Sequence, residues 1–485
     1  MSSRSLFARV VLAATLPCLV AVAPATAQPP GLRLVKDTNP GPENSILGRF
    51  AALGNRTLFA AYDPVHGEEL WVSDGTTEGT RVVKDIDPNG NGVPADAPFG
   101  PVSLGSVALF SAETPAHGRE LWRTDGSEAG TSLVKDIAPG SFGGVQYSGS
   151  AVWHGALLFC ARGAGSEAPR LWRSDGTTEG TYALSDLGPD WPQSFRGCQF
   201  AVNRGRVLFT TQFNRFLWST DGTAAGTSLV KDMGASALPD FYDVPALAPV
   251  GRFVYFVAPG PGGGYEVWRT DGSAAGTVLV KDVAPGSASS APVDLRAAGP
   301  RGLLTFTADD GVHGFERWVS DGTPAGTRLL ADIDPGPNYS VAPEGRVLAE
   351  LVGGRLLFSA YVEGVTGFEL WTTDGTPEGT SFLTEIWPGA ESGLFDWVMG
   401  VVAGGHVYFP ARDPLHGLEL WRSDGTAAGT ELVEDFFPGG GDFSSGATPR
   451  LLNGSTLFVT AWHWETGWEL YAYDVPGLPA ADTSR

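Results

Sequence analysis

Cysteine and methionine are scarce, three of each in 485 residues, and 32 lysines and arginines face 54 aspartates and glutamates. A net charge of −22 argues against the phosphate backbone of nucleic acid and against anionic lipid as partners. Cations and basic surfaces remain open. After the first 22 residues no stretch approaches the roughly 18 apolar residues of a membrane span, and no segment combines helical period with helical length. The sequence also lacks a Gly-x-Ser-x-Gly elbow, a phosphate loop, a dinucleotide fingerprint and a zinc-protease helix.

Residues 1–27 read as a secretory leader. Arg4 and Arg9 precede an apolar run from Val10 to Val22 and an Ala25-Thr26-Ala27 cleavage pattern. Cys18 lies inside the apolar run behind Pro17, a poor setting for lipid attachment. Release as a soluble, extracellular or periplasmic chain is therefore expected. Losing the leader removes two arginines and no acid, which takes the charge from −22 to −24. Cys160 and Cys198 remain, and an oxidising compartment allows either a disulfide or two buried thiols.

Against these absences stands one phrase, Glu69-Leu-Trp-Val-Ser-Asp-Gly-Thr76, which returns with edits around Trp71, Trp122, Trp172, Trp218, Trp268, Trp318, Trp371 and Trp421. A period near fifty residues means one supersecondary unit copied in series, stable only when neighbours cover each other's faces. The first unit divides into four strand-like stretches: Ile46 to Leu53, Thr57 to Tyr62, Glu69 to Ser73 and Arg81 to Ile86. Gly54-Asn55, His66-Gly67 and Asp74-Gly75 turn the chain between them, and Asp87-Pro88 leads onward. Four antiparallel strands repeated radially make a β-propeller blade.

The ninth unit begins with Leu451-Leu452 and Glu469-Leu470-Tyr471 but stops before its fourth strand. Leu34-Val35-Lys36-Asp37 matches the fourth strands Leu133-Val134-Lys135-Asp136 and Leu279-Val280-Lys281-Asp282. The sequence thus predicts an all-β propeller over 28–478, its last blade completed by the N-terminal strand, and a disordered tail over 479–485. Nine blades are expected, with an eight-bladed ring as the alternative. The phrase also resembles the signature of the ELWxxDGT repeat proteins, found in secreted bacterial chains. That resemblance implies a propeller-like fold and carries over no catalytic residue.

The repeated acids Asp74, Asp125, Asp175, Asp221, Asp271, Asp321, Asp374 and Asp424 are read as turn residues whose carboxylates accept N–H bonds in their own hairpins. Calcium is the residual cofactor, but the alternating acids of a calcium loop are missing. His66, His117, His313 and His416 precede glycine in separate hairpins, too far apart to share a metal, and are read as turn residues tolerating an unusual backbone angle. The hairpin register suggests ion pairs of Glu69 with Lys84, Glu120 with Lys135 and Glu266 with Lys281, but Glu316, Glu369 and Glu419 face Ala331, Thr384 and Glu434 at the equivalent places, so the pairing is optional and worth little.

In a symmetric ring a single ligand meets one arc, so departures from the repeat carry the functional signal. Asp243, Asp294, Glu344 and Asp396 precede the innermost strand in four consecutive units, where they would form a negative mouth for a cation or basic ligand. Trp191, Phe195, Phe241, Tyr242, Trp387, Trp397, Trp462, Trp464 and Trp468 lie in connections or irregular hairpins and would suit sugar faces or peptide side chains. The leading expectation is a secreted, monomeric, non-catalytic binding or scaffold propeller for a glycan, peptide or cell-surface partner. A carbohydrate-active enzyme using the channel acids and a structural envelope or matrix component are the alternatives.

Overall fold

A computed structural model describes residues 31–479 except 95–96, 98, 141–142, 146–148, 165–168, 188–197, 212–213, 235–246, 300, 338, 342–346, 352–353, 396–398 and 439–443. The leader and the tail beyond 479 lie outside the described residues.

Nine four-stranded antiparallel sheets form nine blades, and no helix occurs among the described residues. Blade 1 comprises Ile46–Leu53, Arg56–Asp63, Gly67–Ser73 and Arg81–Val82, from the innermost strand outward. Its fourth strand is shorter than the sequence predicts, because the chain peels away after Val82 to meet Glu69. Innermost strands of neighbouring blades contact one another, and that of blade 9, Thr448–Asn453, lies beside that of blade 1. The ring has nine blades, and the eight-bladed alternative is set aside.

The core lies between blades, in nine apolar clusters, one for each seam. At the seam of blades 1 and 2, Leu70 meets Phe110 and Trp122. Phe110 and Trp122 stand opposite each other on adjacent strands, and the same Phe–Trp pairing recurs in blades 1 to 8. The phenylalanines Phe59, Phe110, Phe159, Phe209, Phe256, Phe306, Phe358 and Phe409 are all 0% exposed. Burying each contributes roughly 2–3 kcal/mol. Blade 9 has Val459 opposite Tyr471 instead. The repeated tryptophans are buried or half-buried against this layer.

Arg33–Lys36 pairs antiparallel with Gly467–Asp474 and completes blade 9. Polar contacts reinforce the closure. Lys36 Nζ donates to the Thr80 carbonyl of blade 1 at 2.8 Å, while Ser45 Oγ and Thr38 Oγ1 donate to the Glu469 carboxylate.

The lysines and glutamates of the repeat do not pair with each other, which corrects the sequence reading. Lys84, Lys135, Lys231 and Lys281 each reach forward to a threonine carbonyl of the next blade, at Thr131, Thr181, Thr277 and Thr327. Lys231 and Lys281 also sit over the next blade's Trp268 and Trp318 rings. Glu69, by contrast, is 0% exposed, because its register opposite Ala61 points it into the blade edge. There Glu69 Oε1 accepts the backbone N–H groups of Ile86, Asp87 and Gly92 at 3.0, 3.2 and 3.2 Å. Glu369 does the same for Ile386, Trp387 and Gly393. These carboxylates gather the connection to the next blade, whose N–H groups would otherwise be buried without partners.

Cys160 of blade 3 and Cys198, just before the innermost strand of blade 4, form a disulfide. It crosses a seam where Ser185 replaces the repeated lysine. Closing a 38-residue separation contributes about 4 kcal/mol on the loop-closure model. Cys198→Ser should accordingly lower the thermal midpoint under non-reducing conditions, and reductant should lower that of the wild type but not of the variant.

Burial raises the carboxyls of Glu69, Glu316, Glu369, Glu419 and Glu469 from 4.5 to about 7 against the lowering effect of their hydrogen bonds. Folding therefore takes up protons. The stabilisation is fully present below the unfolded value near 4.5 and is lost as pH rises through about 7, on the order of a few kcal/mol per group. Thermal unfolding at matched ionic strength should give a higher midpoint at pH 5 than at pH 7.5. The difference should shrink in Glu369→Gln/Glu419→Gln, and an unchanged difference would assign the effect to net charge alone.

Candidate functional site

Alternation of strand direction puts two kinds of turn on opposite faces of the ring. The connections between blades and the hairpins between second and third strands share one face, as the bond from Val93 N–H to the Glu68 carbonyl shows at 2.9 Å. The Asp-Gly-Thr turns occupy the other.

On that second face each aspartate is occupied locally. Asp74 Oδ1 accepts the backbone N–H and the hydroxyl of Thr76 at 2.9 and 2.7 Å. The same two bonds recur at Asp125, Asp175, Asp221, Asp271, Asp321, Asp374 and Asp424. Hydroxyl donation holds the Asp125 and Asp321 carboxyls below the usual range. Gly79 closes the turn so tightly that a Cβ there would lie 2.0 Å from Asp74 Oδ1. These carboxylates point back into their own turns.

On the connection face, His66, His313 and His416 each hydrogen-bond through Nδ1 to the aspartate three residues earlier, at 2.7–2.8 Å. His117 bonds Thr114 in the same way. The unusual backbone angle expected at the histidine belongs instead to the following glycine, with φ of +75° at Gly67 and +71° at Gly417. The aspartate raises His313 and His416 above their ordinary value. Among the described residues no three His, Cys, Asp or Glu side chains converge as a metal-holding group.

Symmetry fails at the seam of blades 6 and 7. Asp243, Glu344 and Asp396 lie outside the described residues, as do Trp191, Phe195, Phe241, Tyr242 and Trp397. Asp294 is described, and it is not a free acid at the channel mouth. Its side chain is 3% exposed and binds two arginines, Arg317 Nη1 at Oδ2 and Arg296 Nε at Oδ1, both at 3.0 Å. Asp294 also takes φ +51°, as Arg49 does with φ +64° at the equivalent bulge of blade 1.

Arg317 stands where the other blades place Leu70, Leu121, Leu171, Leu217, Val267, Leu370, Leu420 and Leu470. It is 1% exposed, with its guanidinium 5.3 Å from the Phe358 ring centre. Its Nε and Nη2 find no hydrogen-bond partner, nor do the hydroxyls of fully buried Thr305 and Thr307. Thr307 is opposite Arg317 in the strand register. In sequence this site showed only as a degraded phrase, Glu316-Arg-Trp, whose arginine went unread as a functional signal.

A cavity of about 210 Å³ opens beside this cluster on the inner wall of the ring, lined by Arg296, Leu348, Glu350, Leu356 and Met399, among others. The lining comes from the innermost region of blades 6, 7 and 8.

Of the four aromatic candidates that are described, Trp462, Trp464 and Trp468 gather at blade 9. Phe437 lies 5.8 Å from Trp462 and 5.7 Å from His463, and His463 lies 5.6 Å from Trp464, ring centre to ring centre. Trp462 and Trp468 are half-buried, as is Trp387, which stacks on Arg412. Trp464 is 57% exposed.

No protein-family model matches this chain, and no curated protein matches it. Among solved structures it is similar to puromycin hydrolase, at 14% identity and a TM-score of 0.37 over 86% of this chain. The chain spans 58% of that hydrolase. TolB from Acinetobacter baumannii shares 13% identity at a TM-score of 0.30, over 76% of this chain and 79% of TolB. The β-propeller domain of the Trilobed protease from Pyrococcus furiosus also shares 13%, at 0.34, over 71% of this chain and 99% of that domain. Likeness at this level concerns architecture, and the nine-bladed ring stands on its own sheet topology.

Proposed function

We propose that this chain is a secreted propeller of the ELWxxDGT type and a non-catalytic binding module for a protein or peptide partner, held on the connection face. The reading rests on one arc of hairpin tips. Val312, Val365, Leu415, Trp464 and Val65 are 64%, 63%, 73%, 57% and 79% exposed. They sit at the same hairpin in blades 6, 7, 8, 9 and 1, which are consecutive around the ring.

An apolar side chain repeated at the tip of five neighbouring hairpins contributes nothing to the core. Such an array offers a partner a row of separate anchors, each able to bury roughly 1–2 kcal/mol of apolar surface. Glu363 and Glu465 lie exposed beside the tips, and the chain is acidic overall, so the complementary surface is apolar and basic. A glycan platform calls for several open rings, and of the described aromatic candidates Trp464 is the exposed one. Protein or peptide is therefore preferred over sugar.

Immobilised basic, apolar peptides and an oligosaccharide panel should separate the two classes. Selected peptides should bind the wild type, and Val65→Ser/Leu415→Ser/Trp464→Ser should weaken them at least about tenfold with no fall in thermal midpoint, since these side chains are exposed. Peptide binding that survives the triple change would move the site off this face. Saturable binding of an oligosaccharide alone would restore the glycan reading.

A further inference from the structure

We infer that the inner-wall cavity at blades 6–8 is a recognition site for an apolar carboxylate, of the kind presented by the C-terminal residue of a peptide. This pocket is separate from the hairpin tips and does not depend on them.

Arg296 is the reason. Its side chain is 46% exposed, lines the cavity and is gripped at Nε by Asp294. The grip leaves the two Nη groups at the far end of the guanidinium for an incoming carboxylate, and a planar fork of that kind binds carboxylate by two parallel hydrogen bonds. Asp294 is in turn fixed from behind by Arg317, whose charge is sealed in the seam. Alone, a carboxylate beside Arg296 would neutralise it and make a second carboxylate superfluous. With Arg317 present these three groups sum to one positive charge, which Glu350 on the same wall offsets, so an incoming carboxylate is recognised by the fork of Arg296 and not by a net charge of the cavity.

Two observations indicate that the arrangement was built and not inherited from the repeat. The leucine or valine found at the equivalent place in every other blade is replaced by Arg317. The strand opposite carries Thr305 and Thr307, both fully buried with unpartnered hydroxyls. Each departure costs stability in a seam that packs elsewhere by aliphatic contact, and Arg317 fixes the Asp294 carboxylate that holds Arg296.

The remaining lining specifies the rest of the ligand. Met399, 49% exposed, gives the open apolar surface, with buried Leu348 and Leu356 behind it, and the volume of about 210 Å³ suits a group the size of a leucine residue. Glu350 on the same wall can accept an N–H, either the amide of a peptide's last residue or the ammonium of a free amino acid. It disfavours dicarboxylates.

The test compares N-acetyl-leucine, N-acetyl-leucine amide and free leucine by titration calorimetry and ligand-observed NMR on the full chain. The acid should bind at least about tenfold more tightly than its amide. Arg296→Gln, a change at a half-exposed position, should abolish that preference without lowering the thermal midpoint. Asp294→Asn/Arg317→Leu restores the leucine of the repeat and removes the buried charges, so it should fold at least as well as the wild type while losing most of the acid-over-amide ratio. That ratio identifies Arg317 and Asp294 as positioning residues, because a merely structural role would leave it unmoved. Free leucine binding more tightly than its N-acetyl form would assign the site to amino acids, and the reverse to peptide termini; both support the carboxylate site. Equal binding of acid and amide, no saturable binding of any probe, or a preference that survives Arg296→Gln would overturn it.

Discussion

Each blade carries an aromatic face that only its neighbour can cover. Phe110 and Trp122 of blade 2 are sealed by Leu70 of blade 1, and the arrangement passes around the ring seam by seam. A row of such units with free ends would leave one aromatic face and one leucine face in water. Closure follows from this, and the N-terminal strand Arg33–Lys36 supplies it by completing the last blade. The lysines that reach forward to the next blade and the Cys160–Cys198 disulfide act on the same boundaries. The described structure is therefore a closed series of contacts between blades more than a set of independent sheets.

Burying a carboxyl group at seven equivalent positions follows from the same geometry. Packing on both faces leaves the connections between blades as the one irregular backbone near the core, and their N–H groups need acceptors. Glu69 and its counterparts provide them, and burial pushes several up to about 7. A perturbed carboxyl in a cleft ordinarily marks a catalytic group. Repetition on separate blades and saturation by backbone donors give these another role. Chemistry particular to one ligand belongs where the repeat is broken, at the hairpin tips of one arc and at the seam where Arg317 displaces an aliphatic residue.

The two faces of the ring divide these tasks. The Asp-Gly-Thr turns are closed on themselves, with each carboxylate spent on the hydroxyl and N–H two residues on and with Gly79 leaving no space for a side chain. The connection face carries the variable loops and the exposed apolar tips. The inner wall carries the cavity beside Arg296. A ring of this kind keeps its scaffold on one side and varies the other, since loops on a rigid frame change with little cost to the core.

Strand number, turn chemistry, the repeat and the closure by Leu34-Val35-Lys36 were legible in the residues, because hairpin glycines and aspartates act locally and the fifty-residue period leaves few architectures. Partner choice among charged residues was not. Glu69 and Lys84 stand close enough along the chain to suggest a pair, yet the register turns one inward to backbone N–H groups and sends the other to the next blade. Asp294 read as an open acid because its partner, Arg317, lies on another strand of the same blade and is brought against it only by folding. Exposure of Trp464 beside half-buried Trp462 was equally invisible, since neighbours two residues apart differ only in what the loop of blade 8 brings over them. Local turn and strand preferences, then, were determined by the sequence itself; which polar groups meet, and which side chains remain in water, only the tertiary structure decided, because those depend on contacts between strands and blades distant along the chain.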